Sequence, residues 1–499
     1  MSAPLSKKWE HLASDQPEPQ TEEQSKAHRL FREQDPAHQP RGSSTSNDKD
    51  SDDAPQVHGI VSPGSTGVMY VSQRAAANGW EPDHPEWANF GQGAPEVGNI
   101  PGASERPTVI DLAAMGTGIN EYAPTTGVTA LREAVANLYN ETYRQGKESK
   151  YTKDNVCIVP GGRAGLTRVA SVIGDVYVGY QIPEYTAYSE MLSSFRRLVP
   201  IPSALDAEDN YHMNITKLRS QIHEQGLSVV VASNPRNPTG RVVAGQDLQD
   251  LVKIAEEDGT TVVLDEFYSM YLYDSEARGG KPEGSSVSAA EFIEDVETTP
   301  VVIIDGLTKN WRLPGWRCCW VVGPRALVKA LGQTGGSLDG GASHPLQVAA
   351  IPLLSPSLVA QDRLALQRHF KSKRDHVLQR LKDMGLEVHN KPNSTFYIWL
   401  DLSQLPAPLS SGLVFFEELL KEKVIVTPGA FFDLNPSHRR NMFASPCHHF
   451  IRLSYGPPLA ELNRGLDGIQ RLLEKASQAV KSGTDIFEVV GKDLKEHIE

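Results

Sequence analysis

Cysteine is scarce in this chain. Cys157, Cys318, Cys319 and Cys447 are the only four in 499 residues, and no two share a C-x-x-C spacing. That excludes a disulfide framework, and a reducing compartment is expected. Adjacent Cys318 and Cys319 on a strand would point to opposite faces, which argues against a bridge between them. Long apolar runs are also lacking. Val229–Ala232 and Val301–Ile304 are among the clearest, far short of the ~20 apolar residues that span a bilayer as a helix. Positive charge is in deficit: 49 Lys and Arg against 62 Asp and Glu give a net −13, a balance that repels polyanions and speaks against a nucleic-acid partner. The first residues carry acids and neither an apolar core segment nor an acid-free Arg-rich stretch, so neither export nor organelle import is expected. A cytoplasmic protein of two or three compact units, with no membrane partner, is the expectation.

The chain divides by pattern. Residues 1–56 read as a flexible N-terminal extension: His38–Gln56 holds no large apolar residue, and only Glu22–Phe31 could form a short helix. From about 105 to 350, β-branched runs ending in Gly, Pro or Asn alternate with helical stretches. The runs are Val156–Val159, Val229–Ala232, Thr261–Leu264 and Val301–Ile304, and the helices include Val128–Arg144 and Leu248–Asp258. Near-continuous apolar strands alternating with amphipathic helices predict an α/β unit, a mostly parallel sheet between helices. Ligands of such sheets sit at the carboxyl ends of the strands. A long helix over 358–386 follows, with Leu364, Phe370, Val377 and Leu381 on one face and Gly385 as a stop. Strands at Phe396–Leu400, Val424–Val426 and Phe450–Ser454 and a helix at Leu459–Glu474 predict a second, smaller α+β domain. The division is 1–56 extension, 57–104 N-terminal arm and part of the small domain, 105–357 large domain and 358–499 C-terminal small domain.

The chemistry-bearing residues lie just after the apolar runs. In DGLTKNWRLPGWRCCW (305–320), Lys309 follows a strand end by five residues and Arg317 comes eight later, beyond a Leu-Pro-Gly turn. An isolated lysine there is an ordinary loop residue. An amine paired with a guanidinium is what a pyridoxal phosphate site needs, one for a Schiff base and one for a phosphate. In ASNPRNPTG (232–240), a double turn at a strand end, the Asn237 amide can donate to a phenolate oxygen. In VVLDEFY (262–268), Asp265 is either a helix cap or an anion that keeps a ring nitrogen protonated, with Tyr268 a short step away. VCIVPGGRAGL (156–166) is a strand–Gly–helix turn suited to an anion, and PEYTAY (183–188) offers Tyr185 either as a loop aromatic or as a stacking ring. No metal is expected: His448-His449 lack ligand spacing. Gly335–Gly341 (GGSLDGG) lacks the preceding strand of a nucleotide-phosphate loop and reads as a mobile active-site edge.

Together these segments resemble the fold-type I pyridoxal phosphate enzymes, specifically the class I/II aminotransferases, over roughly residues 85–475. The strongest marks are Asn237-Pro238-Thr239-Gly240, Asp265 with Tyr268, and Lys309 with Arg317, in the family's order. The resemblance implies the aspartate aminotransferase-like fold and a pyridoxal 5′-phosphate cofactor. It also implies an amino-group transfer between an L-amino acid and a 2-oxo acid through a Lys309 Schiff base. A lyase or synthase acting at Cα, Cβ or Cγ on the same fold is the alternative. By resemblance, Asp265 partners the pyridine nitrogen as a carboxylate, and Asn237 and Tyr268 partner the 3′-oxygen. Arg317, Thr308 and the Gly162-Arg163-Ala164 backbone hold the phosphate, while Tyr185 stacks on the ring. Gly93 in GQGAP admits substrate, and Arg452 in FIRLSYG grips its α-carboxylate. Tyr122 in NEYAPTTG matches a tyrosine that reaches the neighbouring subunit's phosphate, which implies a homodimer with shared sites. Departures include Gly306 where many relatives carry serine, Cys318-Cys319-Trp320 after Arg317, and Arg163-Ala164 in place of a polar pair.

Overall fold

The computed structural model of the chain describes residues 67–195, 197–436 and 445–490. The expected extension over 1–56, with its helix at Glu22–Phe31, and the first part of the expected arm lie outside the described residues. In chain order the strands are β1 (Ala88–Asn89), β2 (Val156–Val159), β3 (Val176–Ile182), β4 (Leu198–Ala204), β5 (Leu227–Ser233) and β6 (Thr261–Asp265). They continue with β7 (Val301–Gly306), β8 (Cys319–Val322), β9 (Tyr397–Asp401), β10 (Val424–Ile425), β11 (Thr427–Pro428) and β12 (Phe450–Ser454).

Seven strands form one sheet in the order β2-β8-β7-β6-β5-β3-β4. The neighbours from β7 through β4 are parallel, and β8 runs antiparallel to both β7 and β2. Side chains of β2, β6, β7 and β8 are buried almost without interruption, as the unbroken β-branched runs predict for a sheet covered on both faces. Helix Gly162–Val172 packs on β2, β7 and β8, Ile215–Gln225 on β5 and Gly245–Asp258 on β6. The last two end at Gly226 and Gly259, each left-handed (φ 66°), where a side chain would be strained.

The 28-residue helix Pro356–Asp383 runs from the large sheet's helices to the helix Leu459–Ser482. Phe370, Val377 and Leu381 are buried on it as expected; Leu364 is only half-buried. A second sheet, β11-β12-β9, is antiparallel, and β1 pairs with β10, so the chain segment before residue 90 joins the C-terminal part. The expected strand Val424–Val426 is instead two short pieces, because Ile425 pairs with β1 and Thr427 with β12. The expectation for Gly335–Gly341 is corrected as well. Helix Arg325–Leu338 runs through Gly335 and Gly336, and the buried Arg168 guanidinium holds Asp339 in an ion pair. A Cβ on Gly335 would meet that guanidinium at 2.4 Å. The glycine serves close packing rather than mobility.

Candidate active site

Parallel strands deliver their following loops to one edge of the sheet. The carboxyl ends of β2, β3, β5, β6 and β7 lead into Gly161, Glu184, Asn237, Glu266 and Lys309 respectively. Because β8 is antiparallel, its first residue, Cys319, lies at that same edge, level with Val159 and Gly306. Arg317, two residues earlier, therefore arrives beside the other loops. Residues Gly91–Ala94 and the β9 and β12 side chains Tyr397 and Arg452 close the opposite wall. The result is a cleft of about 260 Å³ that contains Gly93, Gly162, Arg163, Tyr185, Asn237, Asp265, Tyr268, Thr308, Lys309, Arg317 and Arg452.

Asp265 sits at the end of β6, level with Ser233 on β5, with 4% of its surface exposed. Burial pushes its pKa up to about 7, although the Phe267 amide, the Tyr188 hydroxyl (3.3 Å) and the Lys309 charge pull it down. With these partners alone the carboxyl titrates near neutrality. Lys309 is pulled the other way. Burial, followed by the Arg452 charge, lowers its ammonium to about 8, and its Nζ donates to the Gly93 carbonyl. A carboxylate and an amine whose environments move their titrations toward each other are poised for proton traffic near pH 7–8.

Two glycines shape the corner beside Arg317. Gly161 has φ 102°, and a Cβ there would stand 1.9 Å from Arg317 Nη2; at Gly162 it would meet the Phe267 ring at 2.5 Å. Helix Gly162–Val172 starts here, so unpaired amides and a guanidinium face the same point. Thr308 Oγ1 lies 3.1 Å from Cys319 Sγ. The departure at Gly306 has a steric reason: a side chain there would come within 2.4 Å of the Cys319 backbone. Arg163 Nε reaches the Tyr185 hydroxyl at 3.5 Å, a weak contact at the mouth.

Arg452 is buried on β12. Its Nη1 donates to Asn237 Oδ1 at 2.9 Å and its Nη2 to the Gly91 carbonyl at 2.7 Å. Its Nε has no partner in the structure. The guanidinium carbon lies 4.3 Å from the Tyr397 ring centre and 5.0 Å from that of Phe432, and the Tyr397 and Tyr268 hydroxyls share a 2.7 Å hydrogen bond. A Cβ on Gly93 would strike Tyr397 Oη at 2.4 Å, so only glycine leaves this wall open.

Two of the sequence-predicted residues lie elsewhere. Ala164 is the third residue of its helix and does not line the cleft, although its amide belongs to the helix start. Tyr122 is 96% exposed. Tyr188, Tyr397, Phe267 and Glu184 were not singled out in the sequence. Of these, Tyr188 had a signal, since in PEYTAY it stands three residues after Tyr185, a helical step that puts both rings together (5.7 Å).

The fold and the cleft define a class of enzyme, and comparison with known proteins agrees. Residues 85–469 match the family described as aminotransferase class I and II. The chain is 25% identical to a probable aspartate/prephenate aminotransferase of Aquifex aeolicus, over 77% of this chain and 91% of the relative. It is 26% identical to the (5-formylfuran-3-yl)methyl phosphate transaminase of Methanocaldococcus jannaschii, over 76% and 91%. Among solved structures, the aspartate aminotransferase of Thermus thermophilus with maleate superposes with a TM-score of 0.66 at 22% identity, over 82% of this chain and 96% of that one. The chain belongs to the class I and II aminotransferases. It is a pyridoxal phosphate-dependent enzyme that moves an amino group between an amino acid and a 2-oxo acid.

Proposed function

We propose that the cleft between Lys309, Asp265 and Arg452 is where this transfer occurs. One observation carries the reading: an amine, a buried carboxylate and a buried guanidinium from three separate elements face a single cleft. The residues suit pyridoxal phosphate. Asp265 titrates near 7 because its neighbours do not fully offset burial, so a protonated ring nitrogen is a fitting counter-charge. Lys309 supplies the amine for the aldehyde. Asn237 and Tyr268 would border the 3′-oxygen and Tyr185 the ring face. Gly162, Arg163, Ala164, Thr308 and Arg317 form the phosphate corner, to which Gly161 adds the space.

When bound, the cofactor supplies the electron sink for the pair left when a bond at the amino acid's α-carbon breaks. The chain supplies the rest. Arg452 holds the substrate carboxylate, its orientation fixed by Asn237 and Gly91. Lys309 Nζ, as the neutral amine, would take the proton from Cα and hold it for return. Incubating the loaded chain with a panel of amino acids tests this reading: a 2-oxo acid should appear in step with loss of the cofactor's visible absorbance. Products of elimination or decarboxylation in its place would overturn it.

Two predictions arise here. Gly161→Ala should weaken pyridoxal phosphate binding by about tenfold or more, from left-handed strain plus displacement of Arg317, as read by absorbance titration; binding of dephosphorylated pyridoxal should change little. The second concerns pH. A lysine at about 8 is mostly protonated at pH 6 and mostly neutral at pH 9. Cofactor capture by the apo-chain should therefore rise with pH and level off just above 8. An ordinary lysine would keep rising toward the usual ~10.4. Stopped-flow absorbance from pH 6 to 10 measures the plateau.

The assembly we propose is a homodimer with shared sites. Its support is Tyr122, which projects from an exposed stretch that also bears Val109 and Leu112; such a surface favours a partner. Sedimentation reads the assembly directly. The proposed division is an N-terminal arm joined to the small domain, a large domain over 105–357 and a small domain from 358, in the cytoplasm. No helix among the described residues is long and apolar enough to cross a membrane.

A further inference from the structure

Glu184 is fully buried at the end of β3, one residue before Tyr185, and the reaction described above gives it no part. Four donors converge on its carboxylate. They are the amides of Tyr185 (2.9 Å) and Ser233 (3.1 Å), the Ser233 hydroxyl, and Nη1 of Arg236, itself 3% exposed. The second amine of Arg236 donates to Gln181 Oε1 at 2.5 Å. A buried ion pair is weak evidence of stability, since apolar replacements of equal volume often match it. What it does supply is a fixed geometry between elements.

Two chains of contact run from this pair to one residue. In the first, Ser233 Oγ accepts from the Asn237 amide at 3.1 Å, and Asn237 Oδ1 accepts from Arg452 at 2.9 Å. In the second, the Glu184 amide donates to the Phe432 carbonyl at 3.0 Å, and the Phe432 ring lies 5.0 Å from the Arg452 guanidinium carbon. The pair thereby locks the loops after β3 and β5 to each other and to the wall from which Arg452 projects. We propose that the Glu184–Arg236 ion pair is a positioning device that sets the orientation of Arg452, and through it the enzyme's affinity for the substrate carboxylate. The inference rests on the reading of Arg452 as the carboxylate-binding residue.

Glu184→Gln keeps the shape but turns an amide N–H₂ toward donors. Arg236→Met leaves the Glu184 charge buried and unmatched. In both, the amino-acid concentration that half-saturates the first half-reaction should rise by about tenfold or more. The maximal rate and the pyridoxal phosphate dissociation constant should stay within about threefold of the unsubstituted chain. In the double variant Glu184→Gln/Arg236→Met no unmatched buried charge is left, and part of the loss should be recovered; additive losses would deny coupling. Ser233→Ala, a smaller change that removes only the hydroxyl link, should move the half-saturation the same way and decides the matter if the other variants do not fold. Parallel loss of cofactor and amino-acid affinity, or no change in either, would overturn the proposal. Arg452→Leu is the internal reference. If it leaves the half-saturation unmoved, the assignment of Arg452 has failed rather than the coupling to it.

Discussion

Replacing Lys309 by alanine should lower turnover by roughly four orders of magnitude or more, because one substitution removes both the proposed nucleophile and the proposed proton carrier. The neighbouring groups offer no substitute. Asp265 faces the same cleft but ends β6 and is held by Tyr188 and the Phe267 amide. The phenols of Tyr268 and Tyr397 are tied to each other, and burial pushes both above the ordinary phenol pKa. A guanidinium has donors only and offers no lone pair to accept a proton. The loss should therefore appear in the maximal rate, together with loss of the lysine-bound cofactor's visible absorbance, while the phosphate corner still retains some cofactor. Multiple turnovers by the alanine variant, in a steady-state assay with a 2-oxo acid acceptor, would remove Lys309 from its assigned role.

The second large effect should come from Arg452→Leu, expected to raise the half-saturating amino-acid concentration roughly a hundredfold while cofactor affinity changes little. The guanidinium has five donors. One N–H goes to Asn237 and one to Gly91, which leaves Nε and the remaining η hydrogens for a planar carboxylate. Its charge is met in the structure by carbonyl and amide oxygens and two ring faces, so a carboxylate is the partner that completes it. Leucine cannot supply any of these hydrogen bonds, and Asn237 Oδ1 loses its donor as well. A small secondary change in the cofactor spectrum is therefore expected through Asn237. Equal weakening of cofactor and amino acid, measured by absorbance titration and single-turnover kinetics, would contradict the assignment.

Much of this cleft was legible in the sequence for a geometric reason. In a parallel sheet the residues after each strand share one edge, so a reader who finds the strands finds the rim. Asp265, Asn237 and Lys309 each follow a β-branched run, and the structure brings all three into one cleft. Partners that arrive by packing were harder to see. Tyr397 looks like any strand residue until its hydroxyl is found against Tyr268 and above Gly93. Glu184 carries no mark of a partner in PEYTAY, yet it is buried against an arginine 52 positions away. The run GGSLDGG misled for the opposite reason. Its composition indicates a mobile loop, but Gly335 lies in a helix, and its missing side chain leaves the space that the Arg168 guanidinium fills.

Local pattern and chain order by themselves determined the strand runs, the alternation with helices, the family motifs and therefore the kind of chemistry. These follow from short-range sterics and hydrophobic periodicity, which act along the backbone. Only the tertiary structure decided how strongly that chemistry is tuned. The shift of Asp265 to about 7 and of Lys309 to about 8 comes chiefly from burial, which depends on what packs around a group rather than on its neighbours in the chain. The same holds for the Glu184–Arg236 pair and the two routes to Arg452, since desolvation and hydrogen-bond geometry exist only once β3, β5 and β12 have been brought together.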